Sequence, residues 1–225
     1  MNNNIVVAID GFSSCGKSTI AKALAKKLNF VYIDTGAMYR AVTLYFLRNE
    51  VDVADEKQVE TALNNIHINL KTTDGQVSIL LNDEDVSEEI RQMHVASNVS
   101  KIAAIPAVRH AMVKQQQLMG KSTNIIMDGR DIGTTVFPDA QVKLFMTADP
   151  KIRAERRYKE LVVKQPDITM EEVFENLALR DHDDTTRKES PLVQANDAIV
   201  LDNSYLTPDE QLEFALNKIK PFIKE

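Results

Sequence analysis

The chain has one cysteine, Cys15, no apolar run of membrane-spanning length and no excess of positive charge. A single thiol excludes an internal disulfide and fits a reducing compartment. Without about 18 consecutive apolar residues no membrane partner is expected. Lys and Arg number 27 against 33 Asp and Glu, a net charge of -6. That balance disfavours sequence-independent binding to nucleic-acid phosphates, so no nucleic-acid partner is expected either. Met1-Asn2-Asn3-Asn4 leads straight into a strand-like stretch, without the basic flank and apolar core of a signal peptide. Repeats, low-complexity tracts and long linkers are also missing. The expectation is a cytoplasmic monomer, one domain over residues 1–225, carrying a small insert.

What is present is an ordinary globular balance, 44% hydrophobic and 27% charged, enough for a real core. Ile5 to Ile9 reads as a strand buried on both faces. Ala21 to Leu28 has helical periodicity, Phe30 to Ile33 reads as a strand and Ala37 to Leu47 as a helix. Ile66, Ile68 and Leu70 then alternate with polar residues, as do Val77, Ile79 and Leu81. Asp74-Gly75 between them signals a hairpin. A hairpin is antiparallel, so it is assigned to an insert at 61–102. The α/β rhythm resumes with a helix at Ala107 to Met119 and strands at Ile125 to Met127, Val142 to Met146 and Ala198 to Leu201. Asp149-Pro150, Thr169 to Glu172 and Thr207 to Glu210 are helix openings with caps. Five strands alternating with helices predict a three-layer α/β fold with a parallel sheet.

The sharpest motif is Gly11-Phe12-Ser13-Ser14-Cys15-Gly16-Lys17-Ser18, a G-x-x-x-x-G-K-[ST] loop between a strand and a helix. The glycines let backbone N–H groups converge on an anion, and the helix start adds unpaired donors. Lys17 reaches the outer phosphates of ATP and the Ser18 hydroxyl can ligate Mg²⁺. Cys15 reads simply as a small loop residue. A GTPase would carry an N-K-x-D guanine reader. Asn217-Lys218-Ile219-Lys220 lacks the aspartate, which favours a small-molecule kinase over a switch.

Four further segments each admit two readings. Asp34 to Arg40 is either a helix cap by Thr35 followed by an exposed arginine, or part of a site. Asp128-Gly129-Arg130-Asp131 lies at a strand's carboxyl end, where open α/β sheets bind ligands. There Asp128 could orient Mg²⁺, or the segment could be a tight turn with an Arg130–Asp131 ion pair. Arg153, Arg156 and Arg157 crowd one helix face, suited to a phosphate or merely solvated. Arg180, Asp184 and Arg187 fall on one helical stripe, suited to a phosphorylated sugar or to a surface ion-pair network. The histidines show no metal-ligand spacing.

Together these segments resemble the bacterial cytidylate kinases, a P-loop nucleoside monophosphate kinase family, over essentially the whole chain. The likeness rests on Gly11 to Thr19, Asp34 to Arg40, Asp85 to Arg91, Ser100 to Arg109, Asp128 to Thr134, Val136 to Asp139 and Arg180 to Arg187. It implies a P-loop kinase fold and phosphorylation of CMP and dCMP by ATP with Mg²⁺. Residues 11–19 would hold ATP, with Ser18 and Asp128 at the metal. Arg40 and Arg130 would hold the acceptor phosphate. Ser100, Arg109, Asp131 and Arg187 would read cytosine, Asp184 would hold the ribose, and Thr35 and Arg180 would lie nearby. Lys17, Arg130, Arg153 and Arg157 form the expected catalytic set, and 151–164 the expected lid. Phe12, Cys15 and Thr35 depart from the residues most frequent in the family, which bears on loop packing.

Overall fold

In the computed structural model, which describes residues 4–73, 76–163 and 165–223, α/β alternation starts at once. β1 (Val6–Gly11) leads to α1 (Lys17–Leu28), β2 (Val31–Asp34) and α2 (Thr35–Arg48). Helix α1 opens at Lys17, earlier than Ala21, because Gly16 supplies its cap position in a left-handed conformation, φ 85°. Asp34, not Thr35, caps α2, its carboxylate accepting the Ala37 N–H at 2.8 Å. The expected capping role of Thr35 is thereby corrected. Its hydroxyl is committed elsewhere, donating to the Asp128 carbonyl at 2.6 Å.

Next come α3 (Glu56–Asn64), β3 (Ile68–Thr73), β4 (Gln76–Leu81), β5 (Glu84–Asp85), α4 (Met93–Ala96) and α5 (Val99–Ala103). β3, β4 and β5 form an antiparallel sheet separate from the main one, as the alternating pattern predicts. The Asp74-Gly75 turn lies outside the described residues. Ile68, Ile79, Leu81, Ile90 and Val95 share one buried cluster with Met38 and Phe46 of α2. The inserted region therefore has no core of its own. It borrows one from the face of the main sheet.

The chain continues through α6 (Pro106–Met119), β6 (Ile125–Gly129), a π turn (Ile132–Val136), β7 (Val142–Thr147), α7 (Pro150–Leu161), α8 (Met170–Thr186), β8 (Ile199–Asp202) and α9 (Pro208–Ile219). Proline stands at the first turn of α6, α7 and α9, where its missing N–H costs nothing. Asp149 caps α7, and Thr169–Glu172 and Thr207–Glu210 form reciprocal capping boxes. Lys164, the last residue of the expected lid, lies outside the described residues.

The main sheet is parallel, in the order β2-β6-β1-β7-β8. β1 is central. Its Val6 and Ala8 point into the cluster shared with α2 and α6, while Val7 and Ile9 point into the cluster under α1 and α9. Period-two geometry explains why the run is apolar throughout. Among the described residues no helix is long and apolar enough to cross a membrane.

Candidate active site

The carboxyl ends of β1, β2 and β6 converge on the loop that follows β1. Gly11 leaves the sheet with φ 146°, and a Cβ there would stand 2.0 Å from the Met146 carbonyl oxygen. Only glycine fits so close to the neighbouring strand. Lys17 bends back across the loop and its ammonium donates to the Phe12 carbonyl at 2.6 Å. Burial, with Arg130 next, lowers its pKa. Cys15 is buried and its thiol donates to the Phe12 carbonyl at 2.9 Å, a small packing residue as expected. Phe12 packs edge-on against Phe145, with the Arg153 guanidinium 5.1 Å from its ring centre. Ser13 and Ser14 complete the loop, Ser14 at φ 58°, and exposed Thr19 lies in the first turn of α1.

At the end of β6 the Asp128 carboxylate accepts from the Ser18 hydroxyl at 2.8 Å and from the Tyr32 hydroxyl at 2.8 Å. Burial, followed by Asp34, pushes the Asp128 carboxyl up, while Lys17 and the two hydroxyl bonds oppose the shift. Among the described residues no group of three or more His, Cys, Asp and Glu could hold a metal. Ser18 with Asp128 nevertheless suits Mg²⁺, which takes hard oxygens, keeps several waters and is usually completed by substrate phosphates. A cation would also offset the cost of burying the Asp128 charge.

The side opposite the loop is a lattice of arginines and carboxylates. Arg130 does not pair with Asp131. Its Nε donates to Asp184 at 2.6 Å and its Nη2 to the Ser13 hydroxyl at 2.8 Å, which corrects the ion-pair reading of that turn. Asp131 is buried instead against Arg109, with Arg187 3.8 Å away. Adjacent residues leaving a twisted turn point apart, so each finds a partner distant in sequence. Arg187 also reaches Asp184 at 3.4 Å and the Ser190 carbonyl at 2.7 Å. Burial works against the Asp184 charge, but Arg130, Arg187 and Arg180 hold its carboxyl below the usual range. Arg180, pushed down to about 10 by burial and by Arg130, keeps its Nε buried without a partner. The Nε groups of Arg40 and Arg109 are likewise buried and unpartnered among the described residues. Arg40 faces Asp34 at 3.5 Å, and Ser100 sits half-buried on α5 between α2 and α8. Clustered guanidiniums with spare donors are suited to an anion.

The arginines of α7 separate, contrary to the shared-face expectation. Arg153 is buried, 2.7 Å from Asp181 and 3.2 Å from the Ser13 carbonyl. Arg156 donates to the Asn203 side chain and carbonyl at 3.0 and 2.9 Å. Only Arg157 stays at the rim, 3.0 Å from Glu160. Arg153 is drawn inward because Asp181 and the loop carbonyl satisfy it there.

Sequence reasoning missed four residues. Tyr32 steadies Asp128. Tyr39 carries the Arg109 guanidinium 5.4 Å from its ring centre. Asn203, fully buried, donates to the Cys15 carbonyl at 2.7 Å. Asp10, buried at the end of β1, accepts the Ile132 and Gly133 N–H groups. Only Asp10 left a signal, a lone charge ending an apolar strand directly before the loop.

Known proteins show the family of the chain. A family model described as cytidylate kinase matches residues 7–221. A cytidylate kinase of Bacteroides fragilis is 52% identical over 225 residues, covering 98% of both chains. One of Fusobacterium nucleatum is 49% identical over 218 residues, covering 97% of this chain and 98% of its own. A crystal structure of an uncharacterized protein from Eubacterium ventriosum shares the fold, with TM-score 0.52 at 10% identity over 97% of this chain and 99% of its own. With its phosphate loop, its arginine lattice and a family match running almost end to end, this chain belongs to the cytidylate kinase family.

Proposed function

We propose that the protein transfers the terminal phosphoryl group of ATP to CMP and dCMP, giving ADP and the corresponding diphosphate. The near full-length match to cytidylate kinases carries this reading. The contact of Arg130 with Ser13, which joins the arginine lattice to the phosphate loop, supports the division of the site into donor and acceptor sides.

On the donor side, the backbone of residues 11–19 cradles the ATP phosphates. Lys17 exchanges its bond to the Phe12 carbonyl for the outer phosphates, where a charge-assisted bond is stronger. Ser18 and Asp128 would hold Mg²⁺, which when bound supplies charge neutralisation on the transferring phosphates. On the acceptor side, Arg40 and Arg130 take the nucleotide phosphate, and Asp184 and Arg180 sit by the ribose. Arg109, Asp131 and Arg187, with Ser100, read the base. Cytosine offers acceptors at O2 and N3 and a donor at its amine, which fit guanidinium donors and a carboxylate acceptor. Uracil reverses N3 and the exocyclic group. In-line transfer asks the protein for position and charge rather than covalent chemistry. Arg130 touches both sides and is placed to follow charge on the moving phosphoryl group. Arg153 and Arg157, on the segment read as a lid, contribute through closure that excludes water. The substrates are small nucleotides, and the single thiol fits a reducing compartment such as the cytoplasm.

The test is ADP release measured with each nucleoside monophosphate, in the wild type, Arg109→Met and Asp131→Ala. CMP and dCMP should be preferred, and both variants should lose far more kcat/KM with CMP than with UMP. Equal proportional losses would remove these residues from base reading. Rapid ATP hydrolysis without any acceptor would count against the kinase reading itself.

A further inference from the structure

Asp10 stands one residue before the phosphate loop, yet its side chain serves the opposite side of the site. It is 5% exposed. Its two carboxylate oxygens take one backbone N–H each, from Ile132 at 2.8 Å and from Gly133 at 2.7 Å. These are the first two N–H groups after Asp131. They open the π turn, whose bonds return from Thr135 and Val136 to the Asp131 carbonyl at 2.9 and 3.2 Å. Irregular turns of this kind are held by their surroundings rather than by their own ladder. Behind the turn, a Cβ on Gly133 would lie 3.1 Å from Lys143 Cδ and 3.4 Å from the Asp10 carboxylate. The turn therefore has no room to settle closer to the sheet.

The arrangement requires a carboxylate. An asparagine offers one acceptor and would set its amide hydrogens against the second N–H. A threonine or alanine would leave one or both N–H groups without an acceptor. The charge is also held against its environment. Burial raises Asp10 from the ordinary 3.8 to about 6, with Asp131 pushing the same way and the backbone bonds and Lys17 opposing. A charge kept where burial disfavours it is a mark of functional positions.

We propose that Asp10 is a positioning residue for the choice of acceptor base. By gripping the Ile132 and Gly133 N–H groups it fixes the peptide that carries Asp131, and so the angle at which Asp131 meets Arg109, Arg187 and the base. The proposal rests on the reading of Asp131 as a base reader. Asp10 does not touch the nucleotide. It acts through the turn.

The experiment compares kcat/KM for CMP and UMP, and the KM for ATP, in the wild type, Asp10→Asn, Asp10→Ala, Asp131→Ala and the Asp10→Asn/Asp131→Ala double variant. Asp10→Asn should lower kcat/KM for CMP about tenfold, the order of one displaced charge-assisted bond. UMP should lose about twofold or less. The change should lie in the acceptor KM, with the ATP KM nearly constant, and Asp10→Ala should narrow the CMP preference further. In the Asp131→Ala background, Asp10→Asn should leave the CMP to UMP ratio where it is, because both act on one contact. Equal losses for the two acceptors, a raised ATP KM or additive effects on the ratio would overturn the proposal. If Asp131→Ala narrows the ratio and Asp10→Asn does not, the proposal fails while the base reading stands. If Asp131→Ala leaves the ratio unchanged, both fail. Thermal unfolding of each variant accompanies the kinetics. Should Asp10→Ala not fold, the near-isosteric Asp10→Asn carries the test, and loss of fold in both would make Asp10 a folding residue and overturn its role in selectivity.

Discussion

The phosphate loop is one unbroken run, residues 11–19, that presents backbone, whereas the acceptor side is gathered from α2, α6, the turn after β6 and α8 and presents side chains. The loop's conformation is written into its glycines: Gly11 and Gly16 occupy positions that L residues rarely adopt. The lattice has no such local code. Arg109 and Asp131 are 22 residues apart, and Arg130 and Asp184 are 54 apart. Arg40, Arg109, Arg130 and Arg187 are each met by a carboxylate, whereas Arg180 has no ion pair among the described residues. The arginines are thus already oriented, and the carboxylates limit the repulsion among them. A backbone-built loop of this kind offers donors that suit any phosphate chain. An acceptor site of this kind is free to be selective.

The largest effect expected from breaking this contrast is at Lys17, the side-chain charge on which the backbone-built half depends. Lys17→Ala should lower kcat by about 10³, the scale of a lost transition-state donor. Far-ultraviolet circular dichroism should remain unchanged, and near-normal turnover in a folded variant would remove Lys17 from the chemistry. On the lattice side, Arg109→Met strands the buried Asp131 carboxylate and should cost about 3–4 kcal/mol in denaturant unfolding. A loss under about 1 kcal/mol would mean that Arg187 alone compensates Asp131.

Asp10 sharpens the contrast through pH. Its folded pKa of about 6 lies above the unfolded 3.8, so the folded state holds the proton more tightly. Its contribution to stability is full below pH 3.8 and is lost as pH rises to about 6. Asp10→Asn does not titrate. The stability of that variant relative to wild type should therefore improve by up to about 3 kcal/mol between pH 4 and pH 7. A pH-independent difference would refute the shifted acid. Smallest is Tyr32→Phe. It removes one hydroxyl bond to Asp128 and should cost about 1 kcal/mol of stability. Turnover should fall only a few-fold, because Ser18 remains in place.

Much of the scaffold was legible because it obeys local rules. The capping boxes at Thr169 and Thr207 and the proline at the start of α7 are encoded within four residues, and the structure forms each of them. Alternation at Ile68 to Leu81 announced the antiparallel sheet. What was not legible depended on competition between partners. Asp34 and Thr35 can both cap a helix, and only the Asp128 carbonyl beside Thr35 decides between them. The three arginines of α7 look alike along the chain. Asp181, Asn203 and Glu160 sort them, and none of that is visible in helical spacing. Tyr32 and Tyr39 carry no local signal, and only tertiary packing gives each a charged neighbour.

Asn203 has a consequence for how the chain comes to be folded. Its amide closes on the Cys15 carbonyl across 188 residues, and it follows the last strand of the sheet. During synthesis the loop at the N-terminus is made first and gains this brace last. Long-range closures of this kind are slow to form. A ribosome-bound chain that has not yet reached β8 therefore carries the complete G-x-x-x-x-G-K-S sequence without the brace behind it.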